Sequence, residues 1–372
     1  MISFMKSILN KLYNFGLLAL CLIYAPFRGL AKKVTKEPKK IIILRWTPYM
    51  GDVVYTTSLF SAVKKKYSNC KICVVGRGRV EEVIRHNLDV DKFIEYKDNF
   101  WETVRKIRQE KFDYGCVAKP GTSEGFALLY LGGVKVISLF DVLNEPKVKS
   151  AAYPFLLKLG IPIPFYNHQY IPPQFLKLLE PIGIENPDGR FRLYFSKEAE
   201  QKVLNILNSN NIYPGKDFMV AIAPGGSTEE RWWPADRFAE LAKYLVKNHS
   251  AKVVFIGAGI DEKAINEVIK NLGDMPYVNF LNQNLDEFKA TVSKCSLVIG
   301  NDSGPMVTAD AFNIPQMIFV GPTDPREYHT SSGPAYKILQ SSGGNMASIS
   351  LEAAFKELHD LVGNLRKNRM ML

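Results

Sequence analysis

The 372-residue chain lacks the usual marks of a nucleoside-triphosphate or nicotinamide enzyme. It has no Walker A signature. Gly257-Ala258-Gly259 follows a strand-like run, but Glu262 takes the third glycine position of G-x-G-x-x-G, and Gly76-Arg77-Gly78 fails in the same way at Glu81. Cysteine is scarce. Cys21, Cys70, Cys73, Cys116 and Cys295 form an odd, scattered set, which reads as reduced thiols in a cytosolic setting and not as a disulfide framework. Cys70-x-x-Cys73 has no second pair and no nearby His to complete a zinc site, and 71–75 reads as a strand, so these are expected to be core cysteines. No low-complexity tract appears. With 47% hydrophobic residues the chain has ample core for two globular domains, which excludes a disordered protein.

Acidic charge is nearly missing from the amino terminus. Residues 1–40 carry eight basic groups against Glu37 alone, so they hold +7 of the net +11 and leave the body only +4. A basic excess confined to one end argues against a nucleic-acid partner. Within it, Met5, Ile8, Leu9 and Leu12 have helical spacing, with Lys6, Ser7, Asn10 and Lys11 on the other side, an amphipathic helix over 2–13. The apolar run 15–27 is 13 residues long, short of the roughly 20 that span a bilayer, and is expected in the interface with flanking Lys and Arg drawn to anionic lipid. Rival readings are a signal peptide cut at Gly29-Leu30-Ala31 and a helix packed on the body.

Beyond a charged linker at 35–40, strand-like runs at 41–46, 72–76, 92–96, 114–118 and 134–139 alternate with helix-like stretches at 53–67, 80–86, 100–110 and 123–130. This alternation predicts a parallel sheet with helices on both faces. Pro162, Pro164, Pro172, Pro173, Pro181 and Pro187 crowd 161–189, the expected interdomain linker. A second series then gives strands at 218–223, 252–257, 278–281, 297–299 and 316–320 and helices at 235–248, 262–271, 286–294, 305–312 and 351–361. The organisation expected is a basic amino-terminal segment at 1–40, a first doubly wound domain at 41–185 and a second at 186–372, their strand carboxyl ends facing a cleft.

Three loops at strand ends carry chemistry. Thr47-Pro48-Tyr49-Met50-Gly51-Asp52 places a carboxylate at a helix start, where the bland alternative is an N-cap. Pro224-Gly225-Gly226-Ser227-Thr228 continues to Arg231-Trp232-Trp233-Pro234: the glycines let a ligand approach backbone, Ser227 and Thr228 offer hydroxyls, and Arg231 can grip phosphate. Gly300-Asn301-Asp302-Ser303-Gly304 precedes Pro305 at a helix start, with Ser303 or Asp302 placed to cap it and free N–H groups favouring an anion. Asp261 and Glu262 sit where an acidic side chain accepts from ribose hydroxyls, or where it complements a helix dipole.

Met50-Gly51-Asp52-Val53 with Thr56-Thr57-Ser58-Leu59, Pro224-Gly225-Gly226-Ser227 with Trp233-Pro234, and Asn301-Asp302-Ser303-Gly304-Pro305-Met306 with Gly321-Pro322-Thr323-Asp324-Pro325 together resemble glycosyltransferase family 9, which includes the ADP-heptose:lipopolysaccharide heptosyltransferases. The likeness spans about 41–364. It implies a GT-B fold with an amino-terminal acceptor domain and a carboxyl-terminal nucleotide-sugar domain. It also implies inverting transfer of a sugar, heptose from ADP-heptose in the family, to a lipopolysaccharide core or related glycolipid, with no metal and no cofactor. By the family pattern Asp52 is the base. Ser227, Thr228 and Arg231 hold the diphosphate, Glu262 holds ribose, and Asp302, Ser303 and Gly304 lie beside the phosphates and sugar. Arg231 replaces the usual Lys, Trp232 a frequent basic residue and Val307 a frequent His, and the loop before Gly51 is one residue longer. The implied location is cytoplasmic, peripheral on the inner membrane face. The alternatives are a non-catalytic binder of nucleotide sugars or anionic lipid and an epimerase on the same scaffold.

Overall fold

A computed structural model describes residues 2–28, 37–47, 49–142, 150–329 and 336–367. Gly29-Leu30-Ala31, Thr35, Lys36 and Pro48 lie outside the described residues. The chain divides into two compact units, Met1–Arg190 and Phe191–Leu372.

The first unit begins with α1 (Ile2–Arg28) and continues with β1 (Lys40–Trp46), α2 (Met50–Lys66), β2 (Lys71–Arg77), α3 (Val80–Ile84), β3 (Lys92–Glu95), α4 (Phe100–Glu110), β4 (Tyr114–Val117), α5 (Ser123–Leu131), β5 (Val136–Asp141), α6 (Tyr153–Leu157), β6 (Ile161–Pro164) and α7 (Pro172–Leu176). All pairings in its sheet are parallel, in the order β3-β2-β1-β4-β5-β6. β1 is at the centre, and Ile41, Ile42, Ile43 and Leu44 are wholly buried, as an apolar run covered by helices on both faces requires. Cys70 and Cys73 are buried, and burial pushes their thiols up to about 11 and about 12.

One expectation fails here. The stretch 161–189 is not a linker: β6 pairs with β5 at the sheet edge, where Pro162 and Pro164 are tolerated because an edge strand needs its N–H groups on one side only. The segment after α7 covers the sheet, with Ser138 Oγ donating to the Leu178 carbonyl at 2.8 Å. The amphipathic stretch 2–13 and the apolar run 15–27 form one continuous helix, part of which packs on the body. α1 is one 27-residue helix, about 40 Å long at 1.5 Å per residue, with Pro26 in its last turn. It packs along α5, burying Asn14, Leu17, Leu18 and Cys21.

The second unit opens with α8 (Lys197–Ser209), a helix not expected from the sequence, capped by Ser196. It continues with β7 (Met219–Ala223), α9 (Ala235–His249), β8 (Lys252–Gly257), α10 (Glu262–Leu272), β9 (Val278–Leu281), α11 (Leu285–Ser293), β10 (Leu297–Asn301), α12 (Gly304–Ala311), β11 (Gln316–Val320), α13 (Pro325–Tyr328), β12 (Tyr336–Gln340) and α14 (Leu351–Lys367). Its sheet is again all parallel, in the order β12-β11-β10-β7-β8-β9. Counting strands from the start of each unit, both sheets have the order 3-2-1-4-5-6. In each, the direction of winding reverses between the first and fourth strands, and ligands of such sheets bind in the crevice outside the strand carboxyl ends at that point.

Candidate functional site

In the first unit the reversal lies between β1 and β4. β1 runs out through Arg45, Trp46 and Thr47 into a short loop, and α2 begins at Met50. Asp52 is therefore the third residue of the helix and not its N-cap; the N-cap position is Tyr49, which makes no side-chain cap. The Asp52 carboxylate turns back to the strand. Its Oδ2 accepts from Thr47 Oγ1 at 2.8 Å and lies 3.0 Å from Arg45 Nη2. Arg45 is 3% exposed; it also donates through Nη1 to the Ala118 carbonyl after β4, and its guanidinium stands 5.0 Å over the Phe175 ring. Strand, loop and the start of a neighbouring connection are thus tied to one carboxylate. Lys119, next after Ala118, is half-buried, and its ammonium pKa is pushed down by burial and by Arg45 and Arg77, against the opposing pull of Asp52. The rim around Asp52 carries an excess of positive charge.

Sequence reasoning placed Asp52 here but missed Arg45 and Lys119. The available signal was a single cation inside the run Ile41-Ile42-Ile43-Leu44-Arg45-Trp46: a charge in a doubly covered strand needs a partner, and the nearest carboxylate along the chain is Asp52.

In the second unit the reversal lies between β7 and β10, and the loops after both strands meet there. Asn301, wholly buried, joins them: its Nδ2 donates to the carbonyls of Pro224 at 2.6 Å and Gly225 at 3.2 Å, and its Oδ1 accepts from the Trp233 N–H at 3.0 Å. Trp233 anchors the far end of the β7 loop, stacked on Phe319 at 4.1 Å with Nε1 donating to the Ile349 carbonyl at 2.9 Å. Between these anchors Ser227 and Thr228 are exposed and Arg231 is half-buried. Arg231 passes beside Gly321: a Cβ there would lie at ordinary contact distance, 3.8 Å, from the Arg231 Cα and Cγ, and 3.2 Å from Met346 Sδ.

Asp302 and Ser303 do not cap α12 as expected. Ser303 holds the N-cap position, but its hydroxyl donates to the Asn301 carbonyl at 3.0 Å. Asp302 points to the loop after β11: Oδ2 accepts from Thr323 Oγ1 at 2.9 Å and Oδ1 lies 2.9 Å from His329 Nε2. Burial works to raise its pKa, but His329, Thr323 and the charge of Arg231 outweigh it and hold the carboxyl below the usual carboxylate range. Without a side-chain cap, the first turn of α12 from Gly304 keeps backbone N–H groups for an anion. Val307 is buried in α12, and the histidine of this site, His329, comes from another loop. It follows a loop motif by several residues, so nothing local in the sequence marks it.

The loop after β8 lies beside the β7 loop. Lys263 Nζ is 2.7 Å from both Glu229 carboxylate oxygens, bridging the two loops at the surface. Asp261 faces inward, its Oδ2 accepting from the Ala258 N–H at 2.8 Å, and its side chain fills the space that a Cβ on Gly225 would take. Of the two acids, Glu262, first in α10, is the exposed one.

A family model described as glycosyltransferase family 9 (heptosyltransferase) matches residues 169–359. The chain is 23% identical over 301 residues to lipooligosaccharide heptosyltransferase 2 of Haemophilus influenzae, covering 77% of this chain and 84% of that protein. It is similar in structure to a family 9 glycosyl transferase from Veillonella parvula, with a TM-score of 0.74 at 19% identity over 87% of this chain and 97% of that one. It is also similar to an Escherichia coli heptosyltransferase solved with ADP-2-deoxy-2-fluoro heptose, with a TM-score of 0.67 at 14% identity over 86% and 99% of the two chains. These likenesses show the GT-B fold. With a match that takes in more than half of the sequence and the β7 and β10 loops together, the chain belongs to glycosyltransferase family 9, the heptosyltransferase family, and is a glycosyltransferase.

Proposed function

We propose that this enzyme transfers heptose, with inversion, from a nucleoside-diphosphate heptose of the ADP-heptose type to a lipopolysaccharide core or related glycolipid. The observation that carries the reading is the β7/β10 reversal, where a glycine loop, an arginine and an uncapped helix start surround one place suited to a diphosphate. The Escherichia coli relative solved with an ADP-heptose analogue and the lipooligosaccharide enzyme of Haemophilus influenzae support the donor and acceptor classes. Family membership disfavours the epimerase and the non-catalytic binder.

Ser227, Thr228 and Arg231 hold the diphosphate, Glu262 the ribose, and the Ser303-Gly304 turn the phosphates and sugar, while Asp302 fixes the turn from behind. As the bond to the leaving diphosphate lengthens, negative charge grows on its oxygens, and the guanidinium and the α12 amides are already in place to receive it. That preorganisation supplies charge stabilisation otherwise given by a metal. In the acceptor domain Asp52 accepts the hydroxyl proton late, as the attacking oxygen bonds to carbon and becomes acidic. The enzyme works in the cytoplasm, on the inner membrane face, held there by α1. Incubation of the protein with ADP-heptose and a core glycolipid tests the reading: released ADP matched by glycosylated lipid is expected, whereas an altered sugar on intact nucleotide, or no turnover with any nucleotide sugar, would sink it.

A further inference from the structure

Between Met5 and Tyr13 every described side chain of α1 is exposed, and burial starts only at Asn14. The contacts along the helix explain this. Tyr13 Oη donates at 2.8 Å to Oε1 of Glu124, in the first turn of α5, and Tyr24 meets Tyr130 edge-on at 6.4 Å near its end, so α1 and α5 run parallel. Arg108 of α4 stands 5.3 Å over the Tyr24 ring, which seats α1 against both helices. α5 follows β4, so it starts at the strand carboxyl edge. The eleven residues of α1 before Tyr13 therefore overhang that edge, the rim bearing Asp52, Arg45 and Lys119, by about 16 Å.

The overhang is apolar and lacks acids. Met5, Ile8, Leu9 and Leu12 are exposed, and α1 holds no Asp or Glu, while Lys11 is also exposed. At the same rim Trp101, second residue of α4, is 58% exposed. Exposed apolar residues and cations without acids, as on this half of α1, are what an anionic lipid surface takes up, and beside Trp101 the acids Asp98 and Glu102 are paired with Arg77 and Lys106. By length and composition α1 could cross a membrane. Its packed stripe of Asn14, Leu17, Leu18 and Cys21, and the Tyr13 hydroxyl bound to Glu124, instead hold one side of it against protein. Tyr96 Oη donates to the same Glu124 oxygen at 2.6 Å and its ring stacks on Trp46 at 5.0 Å, so a direct chain of contacts joins α1 to the end of β1.

We propose that the overhanging half of α1 dips into an anionic bilayer as part of the acceptor domain and seats the Asp52 rim at headgroup depth, where a lipid-borne acceptor presents its hydroxyl. This rests on the membrane reading above and specifies its geometry: α1 orients the acceptor rim and is not a detachable tether.

The test uses the full-length protein and vesicles of phosphatidylethanolamine and phosphatidylglycerol with embedded glycolipid acceptor. All five native cysteines are buried, so single labels at Leu9→Cys, Trp101→Cys and Lys135→Cys report depth through a lipid-borne quencher. Quenching at 9 and 101 but not at 135, which lies on the opposite edge before β5, is expected. Leu9→Glu with Leu12→Glu should weaken vesicle binding at least about tenfold and lower turnover on the embedded acceptor, while turnover on a water-soluble saccharide acceptor is unchanged. Unquenched label at 9, equal quenching at 135, or a double variant that still binds vesicles overturns the proposal. So does a dimer in solution that the double variant splits, because a second copy then covers the face. If the parent transfers nothing to the soluble acceptor, the reaction assignment fails, and the quenching pattern still decides the membrane geometry on its own.

Discussion

At the reversal point of the first sheet the carboxylate, Asp52, has a side chain 31% exposed, held from one side by Thr47 and a buried arginine; at the equivalent point of the second sheet the carboxylate, Asp302, is 16% exposed and held from behind by Thr323 and His329. The strand order is the same, so the loops occupy the same places. Their contents differ. In the first unit the carboxylate is oriented but reachable, as the proposed proton acceptor must be. In the second it is used up in holding a turn, and backbone, hydroxyls and Arg231 are left facing outward. The comparison teaches that this topology supplies a location, while chemistry is set by which side of a carboxylate its partners cover.

Exchanging Asp52 for its amide puts the most strain on that contrast. Asp52→Asn is expected to keep the fold, because Asn still accepts from Thr47, at a cost in stability from removing the charge opposite the buried Arg45, and to keep donor affinity, yet to slow turnover by about 10²- to 10⁴-fold. Close to parental turnover would make Asp52 an organiser like Asp302 and erase the distinction. Arg231→Ala should weaken donor binding by about 1.5 to 3 kcal/mol, the range for a charge-assisted bond, and leave acceptor affinity alone. Calorimetric titration with ADP checks it, and an unchanged Kd in a folded variant removes Arg231 from the site.

Asn301→Ala leaves the Pro224 and Gly225 carbonyls and the Trp233 N–H without their shared partner, at a cost of about 1 to 3 kcal/mol in stability. The comparison is sharpened if thermal melting shows that loss together with weaker ADP binding, since the first sheet has a cation, Arg45, spanning the same gap. The smallest effect concerns acid. Burial tends to raise the Asp91 pKa, but hydrogen bonds from Lys64, Lys71 and the Ile72 N–H bring it down to about 2. A folded value below the ordinary 3.8 means that the native state binds fewer protons there, so the stabilisation is full above about pH 4 and is lost as pH falls toward about 2. Asp91→Asn should flatten the loss of stability between those values; a slope identical to the parent's would show that Asp91 is not part of the acid response.

The alternating pattern of β1 to β5 and most of the second series was legible because strands covered on both faces need apolar runs and the helices between them are capped or stopped by Pro and Gly. From sequence β6 reads as linker, since its prolines carry a turn signal that only an edge position cancels. The candidate site was legible as three loops at strand ends, with Asp52, Arg231 and Asp302 among them. Arg45, Lys119 and His329 were not, because their significance lies in contacts between segments distant in sequence, such as Arg45 with Ala118 and His329 with Asp302.

What the sequence by itself determined was therefore the βα rhythm, the division into two halves and the residues at the loop tips, all of which depend on local periodicity and turn chemistry. Tertiary structure decided which way each acid faces, and that α1, apolar around most of its surface, has one stripe committed to α5 and another left for a partner. Orientation depends on the partners that packing brings within hydrogen-bonding distance, as Arg45 is brought to Asp52 and Glu124 to Tyr13, and no local pattern records them.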